Sequence, residues 1–545
     1  MGRRPRLASG LLAGGLLITA LPASAEGPGN PAPPPAPATT TPGPTLHGQL
    51  ALALQEAIAM GIENNLDVQI SRFDPLIASE DAIAAWGYYD PRLFGEYAYY
   101  HREVPVASTL QQSRILLEKE TLGSAGIVGE VPKLGWGYQI DYTGNRLETT
   151  SSIQSLSPQY TTGLTATVTL PLLKDFLWSE QWLLVRTSAI QEGSSFEQFR
   201  QSLMDTVQAI EDAYWNLVAT EESLRVANKS LEANLTLLDQ TKAQYDVGVV
   251  SRVEVVEAEA GVAEREVNRI RQENFYRGAQ DTLIDLVLGP NLTPDSTLEI
   301  QPTTIPDVVQ YDVDPDAATA KAFENRPELA VARAEVESRT LSLKFAKNQR
   351  LPQVDAIGTY GYNGLAGRTS TSPDIFGNPR TPIRGIGNSY DDADDDFFDG
   401  DGARSWSAGG IFSIPLGNVT ARAQARRAEL ELRRARTQVR REEQDIVLEV
   451  RDAIRNLLSA SEGIEAAERR RLAAEEQFRA ESIRLEHGES TPFDVLQREE
   501  DLVDAESQKI SALQIYRSSV AALDRAQGTI LRDRNVLVEQ ARTLR

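Results

Sequence analysis

Residues 203–259 read LMDTVQAIEDAYWNLVATEESLRVANKSLEANLTLLDQTKAQYDVGVVSRVEVVEAE, and this stretch decides the fold. Every seventh residue is apolar: Leu203, Ile210, Leu217, Leu224, Leu231, Leu238 and Tyr245. The companion positions are looser, with Val207, Tyr214 and Leu235 apolar but Glu221, Asn228 and Lys242 not. A straight helix drifts by about 20° per heptad, so a seam kept this long predicts supercoiled packing against other helices. Gly248 then supplies a helix stop and Ser251 a new start. A returning helix follows through Val253, Val256, Ala260, Val267 and Ile270. The spacing predicts a helical hairpin with arms of roughly 40 to 65 residues, or about 60 to 100 Å at 1.5 Å per residue.

The pattern recurs 240 positions later. Asp212, Ala213, Asn216 and Leu217 meet Asp452, Ala453, Asn456 and Leu457. Gly248 meets Gly488, Ser251 meets Thr491, and Val255 and Glu259 meet Val495 and Glu499. The second seam runs Val450, Leu457, Ile464, Phe478, Leu485, broken by Arg471. A repeat of this length that keeps its turn glycine in register marks a duplicated structural unit. Each half also opens on a helix, residues 51–87 and about 316–350, which Pro91 and Pro352 end.

Strands follow both prolines. Val354, Ala356, Gly358, Tyr360 and Tyr362 share one face, as do Leu93, Gly95, Tyr97 and Tyr99. The strands that close each outer hairpin set Leu164, Ala166, Val168 and Leu170 against Thr165, Thr167 and Thr169, and Trp406, Ala408, Phe412 and Ile414 against Ser405, Ser407 and Ser413. Both end at Pro-Leu, Pro171-Leu172 and Pro415-Leu416. Segments near ten residues, apolar on one face and polar on the other, suit a barrel wall with lipid outside and water inside. Four strands cannot close a barrel, and an open edge in lipid leaves backbone groups unsatisfied, so several chains must share one wall. Trp136, Tyr138, Ile140 and Tyr142 alternate as a fifth candidate strand, assigned to an extension of the first outer hairpin. Trp178 and Trp182 suit an interfacial belt or helix packing. A soluble sheet on helices alternates in the same way, so a periplasmic coiled-coil scaffold without a pore is the competing reading.

The expected divisions are a signal peptide at 1–25, a Pro-rich linker at 26–48, a first repeat at 49–289, a connector at 290–315, a second repeat at 316–531 and a charged tail at 532–545. The signal rests on Arg3, Arg4 and Arg6, the apolar run Leu11 to Ala20, and Ala23-Ser24-Ala25. The chain has no cysteine, which excludes disulfides, cysteine metal sites, thiol catalysis and a lipid-modified cysteine. A net charge of −23 argues against nucleic acid, and the basic run Arg426, Arg427, Arg433, Arg434 and Arg436 reads as a solvated helix face. Asp391, Asp392, Asp394, Asp395, Asp396, Asp399 and Asp401 lack calcium-loop spacing and read as a solvated outer loop. His47, His101 and His487 are isolated, and the sequence holds no metal-protease helix motif, phosphate loop or serine elbow. No enzyme activity, cofactor or metal is expected.

With these residues in hand, the chain resembles the TolC-type outer-membrane efflux proteins over about residues 49–531. The resemblance rests on Leu52 to Ala57 with Glu63-Asn64-Asn65, the Pro-Leu joints, Ala213 to Leu217, and the twin turns Val247-Gly248-Val249 and Gly488 with the helix starts that follow. It implies a mixed, mainly α fold: duplicated helical hairpins with about four transmembrane strands per chain. A homotrimer would share a twelve-stranded β-barrel standing on a periplasmic α-helical barrel. It implies a passive outer-membrane duct serving tripartite efflux or type I secretion, driven by an inner-membrane pump through a periplasmic adaptor. By motif match the adaptor-contact tip comprises Val247, Gly248, Val249, Ser251, Gly488, Ser490 and Thr491. The periplasmic entrance comprises Asp494, Gln497 and Glu254. The family's second entrance acid is matched by Gln497, and its constraining aromatic and arginine by Leu485 and Ser490, so that closing network departs from the family pattern.

Overall fold

The structure, a computed structural model, describes residues 47–108, 110–111, 114–289, 297–309, 313–383, 387–398 and 403–537. The expected signal peptide, the linker up to residue 46, part of the connector, Asp399, Asp401 and the tail beyond residue 537 lie outside the described residues. In chain order the elements are β1 (His47–Leu52), α1 (Leu54–Asn64), α2 (Leu66–Trp86), β2 (Arg92–Pro105), β3 (Ile115–Val131), β4 (Trp136–Thr149), β5 (Leu156–Pro171), α3 (Glu180–Asp246) and α4 (Arg252–Leu288). There follow β6 (Thr297–Pro302), α5 (Pro315–Asn325), α6 (Pro327–Asn348), β7 (Gln353–Thr369), α7 (Tyr390–Phe398), β8 (Ala403–Ser413), α8 (Val419–Glu486), α9 (Pro492–Ala526) and α10 (Ile530–Asp533). Two compact units result: a strand-bearing one from Ala84–Val185 with Leu341–Ala428, and a helical one from the described residues up to Ile83, Arg186–Thr340 and Glu429 onward.

In the helical unit the heptad seam is buried where it meets short helices. Leu203, Ile210, Leu217 and Leu238 are buried, as are Val207 and Tyr214 between them. All of these except Leu238 join Leu52, Ala57, Ile58, Leu283, Val287 and Ile300 in one core. A second core repeats the arrangement with Ala318, Ala322 and Leu329 against Ile446, Val450, Leu457, Tyr516 and Val520. Each opening helix is interrupted at the same place. Arg326 precedes Pro327, and a residue before proline is pushed out of helical geometry. At the equivalent break Asn65 accepts hydrogen bonds from the backbone N–H groups of Asp67 (2.9 Å) and Val68 (3.2 Å), capping α2.

Buried polar side chains tie the connector to both helical hairpins. The Tyr214 hydroxyl donates to the Leu52 carbonyl (3.0 Å) and accepts from Thr304 N–H (3.0 Å). Gln280 brackets Ile300 through both amide atoms, at 2.8 and 2.7 Å. Arg326 is held between Glu328 (2.9 Å) and Glu449 (2.6 Å), with Arg525 also on Glu449 (2.7 Å). Arg471, which breaks the second seam, is neutralised by Glu468 (3.1 Å) and Glu475 (3.0 Å). Burial pushes the Asp524 carboxyl up to about 6, against the opposing pull of Arg534 at 3.2 Å.

The strand-bearing unit corrects the expected strand count. One antiparallel sheet runs β2-β3-β4-β5-β7-β8, six strands where about four were expected. The Trp136–Thr149 segment is a full member, paired with β3 on one side and β5 on the other, rather than an extension of an outer hairpin. β3 escaped the sequence reading because Glu118, Lys119 and Glu120 interrupt its alternation and Gly123 and Gly129 dilute its apolar face. Its neighbours compensate the charges: Lys119 stands opposite Glu148, and Glu120 takes Arg102 and the Asn145 amide (3.0 Å).

Registration places like with like across all six strands. One cross-strand row is Leu93, Ile127, Ile140, Ala166, Tyr360, Trp406. A row on the opposite face is Glu96, Ser124, Thr143, Gly163, Asn363, Ala403. Away from the loop end the first face is open: Leu93 is 81 %, Tyr97 77 % and Trp406 75 % exposed. The strand ends sort as well. Pro91, the four-residue turn 132–135, Pro171, Pro352 and Pro415 share one end, and the longer connections 106–114, 150–155 and 370–402 share the other.

At the loop end α7 lies on β5 and β7. The expected solvated acidic loop is therefore helical over Tyr390–Phe398. Ala393 is fully buried, and a Cβ at Gly364 would strike its carbonyl oxygen. The Tyr142 hydroxyl donates to Asp394 (2.9 Å), and the Tyr160 and Tyr390 rings meet edge-on at 5.0 Å. Trp182 meets Trp86 edge-on at 5.9 Å beside Ala85, Tyr89 and Val185, so it serves helix packing.

Candidate functional site

The two hairpin turns are built alike from backbone upward. Gly248 has φ +78° and Gly488 φ +74°, the left-handed region in which a side chain is strained. In the first turn Gly248 N–H donates to Tyr245 O (2.9 Å) and Val249 N–H to Gln244 O (2.9 Å). In the second, Gly488 N–H donates to Leu485 O (3.0 Å) and Glu489 N–H to Arg484 O (2.8 Å). This paired bonding satisfies the last carbonyls of a helix and reverses the chain within a few residues.

Each turn then launches a capped helix. Ser251 and Glu254 form a reciprocal cap, with the Glu254 carboxylate accepting from Ser251 N–H (3.3 Å) and its hydroxyl (3.1 Å). Thr491 accepts from Asp494 N–H (3.3 Å) and donates its hydroxyl to the Asp494 carboxylate (2.7 Å), with Pro492 opening α9. Glu254 and Asp494 thus hold equivalent third positions of their helices, where a carboxylate complements the helix dipole. Ser490 donates to Glu481 (2.5 Å), and Gln497 sits exposed further along α9.

Val247, Gly248, Val249 and Ser251 share the first turn, and Gly488, Ser490 and Thr491 the second. Val247 (75 % exposed), Val249 (72 %) and Phe493 (56 %) present apolar side chains to solvent there. A cleft of about 320 Å³ between α3, α8 and α9 adjoins these ends, lined by Gln240, Gln244, Leu485, Glu486, Val495 and Glu499.

Sequence reasoning missed Phe493 and a buried charge pair. Glu499 on α9 lies 3.0 Å from Arg265 on α4, with both side chains under 10 % exposed, and Ser230 on α3 donates to the same carboxylate. The Arg265–Glu499 contact is a charge contact rather than an aligned hydrogen bond, since Glu499 Oε2 and Arg265 Nε find no hydrogen-bond partner. Glu259, the repeat equivalent of Glu499, stays exposed and pairs with Lys242 at 3.5 Å. The signal that separates them is Arg265, whose equivalent 240 positions on is Ala505.

None of the described helices is long and apolar enough to cross a membrane. The six-stranded sheet, with its exposed apolar face, is the part whose surface suits lipid.

Comparisons with known proteins agree. The structure is similar to the Campylobacter jejuni CmeC outer membrane channel, at TM-score 0.60 and 14% identity over 88% of this chain and 86% of that one. It is also similar to the outer membrane protein VceC of Vibrio cholerae, at TM-score 0.60 and 17% identity over 87% and 96%. The open state of the Neisseria gonorrhoeae MtrE outer membrane channel matches at TM-score 0.57 and 15% identity over 88% and 89%. No curated protein sequence matches the chain. The profile described as "Outer membrane efflux protein" covers residues 128–287 and 319–529, one segment in each half of the duplication. With that profile matched over more than half its length, and with turns, hairpins and sheet as described, the chain belongs to the outer membrane efflux protein family.

Proposed function

We propose that this outer-membrane channel is the passive duct of a tripartite efflux or type I secretion system. It is a homotrimer, coupled to an inner-membrane pump by a periplasmic adaptor. The observation that carries the reading is the unclosed sheet. Among the described residues β2 and β8 each lack a second strand partner, and six strands fall short of the eight or so that close alone. Exposed backbone groups at such an edge cost several kcal/mol each in hydrocarbon, which copies of the chain relieve by sharing one wall. A pore-free scaffold leaves the exposed face of Leu93, Tyr97, Trp406 and Phe412 without a purpose.

The adaptor docks on the two turns. Val247, Val249 and Phe493 supply apolar anchors, while Gly248, Ser251, Gly488, Ser490 and Thr491 keep the backbone close and uncluttered. Asp494, Glu254 and Gln497 line the periplasmic entrance, where three Asp494 carboxylates around an axis repel one another and favour cations.

The test is reconstitution of the crosslinked oligomer in a planar bilayer. Stepwise conductance from a three-chain species supports the duct; a monomer that salt washing releases from membranes without detergent removes it. Photo-crosslinkers at Val247 and Val249 should capture the adaptor, and failure there with capture elsewhere on the chain removes the docking assignment. Asp494→Ala should lower cation preference, and unchanged selectivity removes the entrance assignment.

A further inference from the structure

We infer that the β3–β4 hairpin is a membrane-spanning part of the barrel wall, so that each chain supplies six strands and the trimer closes a wall of eighteen. This rests on the trimeric-duct reading above. The reason is connectivity. β2 and β5, the first-half counterparts of β7 and β8, do not pair with each other. Among the described residues β2 pairs only with β3, β3 with β4, and β4 with β5. A wall that contains β2 and β5 must therefore contain the two strands between them.

The hairpin has the properties of wall. β3 has 17 residues and β4 has 14, above the nine to eleven or so that a tilted strand needs to cross. Ala125, Ile127, Trp136, Tyr138 and Ile140 continue the apolar face of their neighbours, and Ser124, Asp141, Thr143 and Asn145 the polar one. Its turn at 132–135 lies at the proline end, the end where barrels carry their short turns. The count stays even, so β8 of one copy meets β2 of the next antiparallel. Three copies of six strands, at about 4.8 Å spacing and roughly 40° tilt, give a backbone diameter of roughly 36 Å, against roughly 24 Å for twelve. The backbone girth of the outer-membrane section is thus about 1.5-fold that of a twelve-stranded wall, which admits wider hydrated cargo.

The absence of native cysteine makes the test direct. Single variants Ser124→Cys and Thr143→Cys, in the full-length oligomer in bilayers, should react with a membrane-impermeant thiosulfonate and step the current down. Ile127→Cys and Ile140→Cys should resist it. Equal reaction on both faces, or polar-face reaction without a change in current, overturns the inference. Replacing residues 106–155 by a short Gly/Asn loop should lower conductance about twofold and shrink the polymer-exclusion limit; unchanged values overturn it. Should that variant not assemble, the cysteine series decides alone. A crosslinked mass of two chains would sink the trimer, while the labelling pattern would still decide whether six strands per chain form the wall.

Discussion

The Arg265–Glu499 pair offers a sharp test of how the two helical hairpins hold together. Both side chains are nearly out of solvent, and α4 and α9 belong to different halves of the duplication. Glu499→Ala removes the carboxylate and leaves a buried guanidinium without a counter-charge. Breaking one partner of a buried pair typically costs about 3–5 kcal/mol. Ser230 also loses its acceptor, which keeps the expectation within that range rather than below it. The loss is local, so amide hydrogen exchange of the purified protein is the right assay. At about 1.4 kcal/mol per tenfold, a loss of about 3 kcal/mol speeds exchange roughly 150-fold in residues 226–234, 261–269 and 495–503 where opening is local. The double variant Arg265→Met/Glu499→Leu removes the charges together and should recover most of the protection, since apolar replacement of a buried pair is often neutral or stabilising. Unchanged exchange in Glu499→Ala, or a double variant as unprotected as the single one, refutes the account.

Gly248→Ala and Gly488→Ala should each destabilise by about 1–2 kcal/mol through backbone strain alone, because no atom lies within 4 Å of an added Cβ; thermal melts of each variant and of the pair check this, and a combined effect far from the sum argues that the turns are coupled. Thr491→Ala should cost about 1 kcal/mol by removing the cap of α9, read as faster exchange in its first turn, while Thr491→Ser should restore it. For Asp524 the folded carboxyl binds its proton more tightly than an unfolded one, so ionisation destabilises the fold above about pH 6 and the penalty fades as pH falls toward 4. A shift from the ordinary 3.8 to about 6 corresponds to about 3 kcal/mol, so Asp524→Asn should melt higher than wild type at pH 7.5 with the gap closing near pH 4. A gap that widens on acidification would contradict that sign.

The helical half of the molecule was legible because its signals are local and periodic. Leu203 to Leu238 declare the seam, and Gly248 and Gly488 declare the reversals, each through the residue itself. The breaks at Asn65 and Arg326 fall where an asparagine cap and a following proline place them. The sheet was legible only where alternation survived, as in Leu164 to Leu170. β3 carries Glu118, Lys119 and Glu120 near its loop end, and nothing local says that Glu148, Arg102 and Asn145 stand opposite. The clue available is indirect: a strand at Trp136–Tyr142 inside a closed wall needs a partner on each side, and the stretch before it is the nearest one free to pair. The acidic run misled for a similar reason. A run of seven Asp looks solvated, yet Ala393 and Tyr390 give one side of the same segment something to bury. At the turns, Glu254 and Asp494 were singled out for an entrance role, and their geometry shows that each also finishes a helix cap.

The hairpin at residues 115–149 enters and leaves the sheet through the loop end, and its neighbours keep the directions they would have without it. Girth in such a wall is therefore modular. It can grow or shrink two strands at a time without re-routing a single helix, and without touching the turns on which we place the adaptor. Selection acting on cargo size and selection acting on docking then have separate handles on one polypeptide, and a transplanted hairpin would resize the opening while leaving the coupling to its machinery as it was.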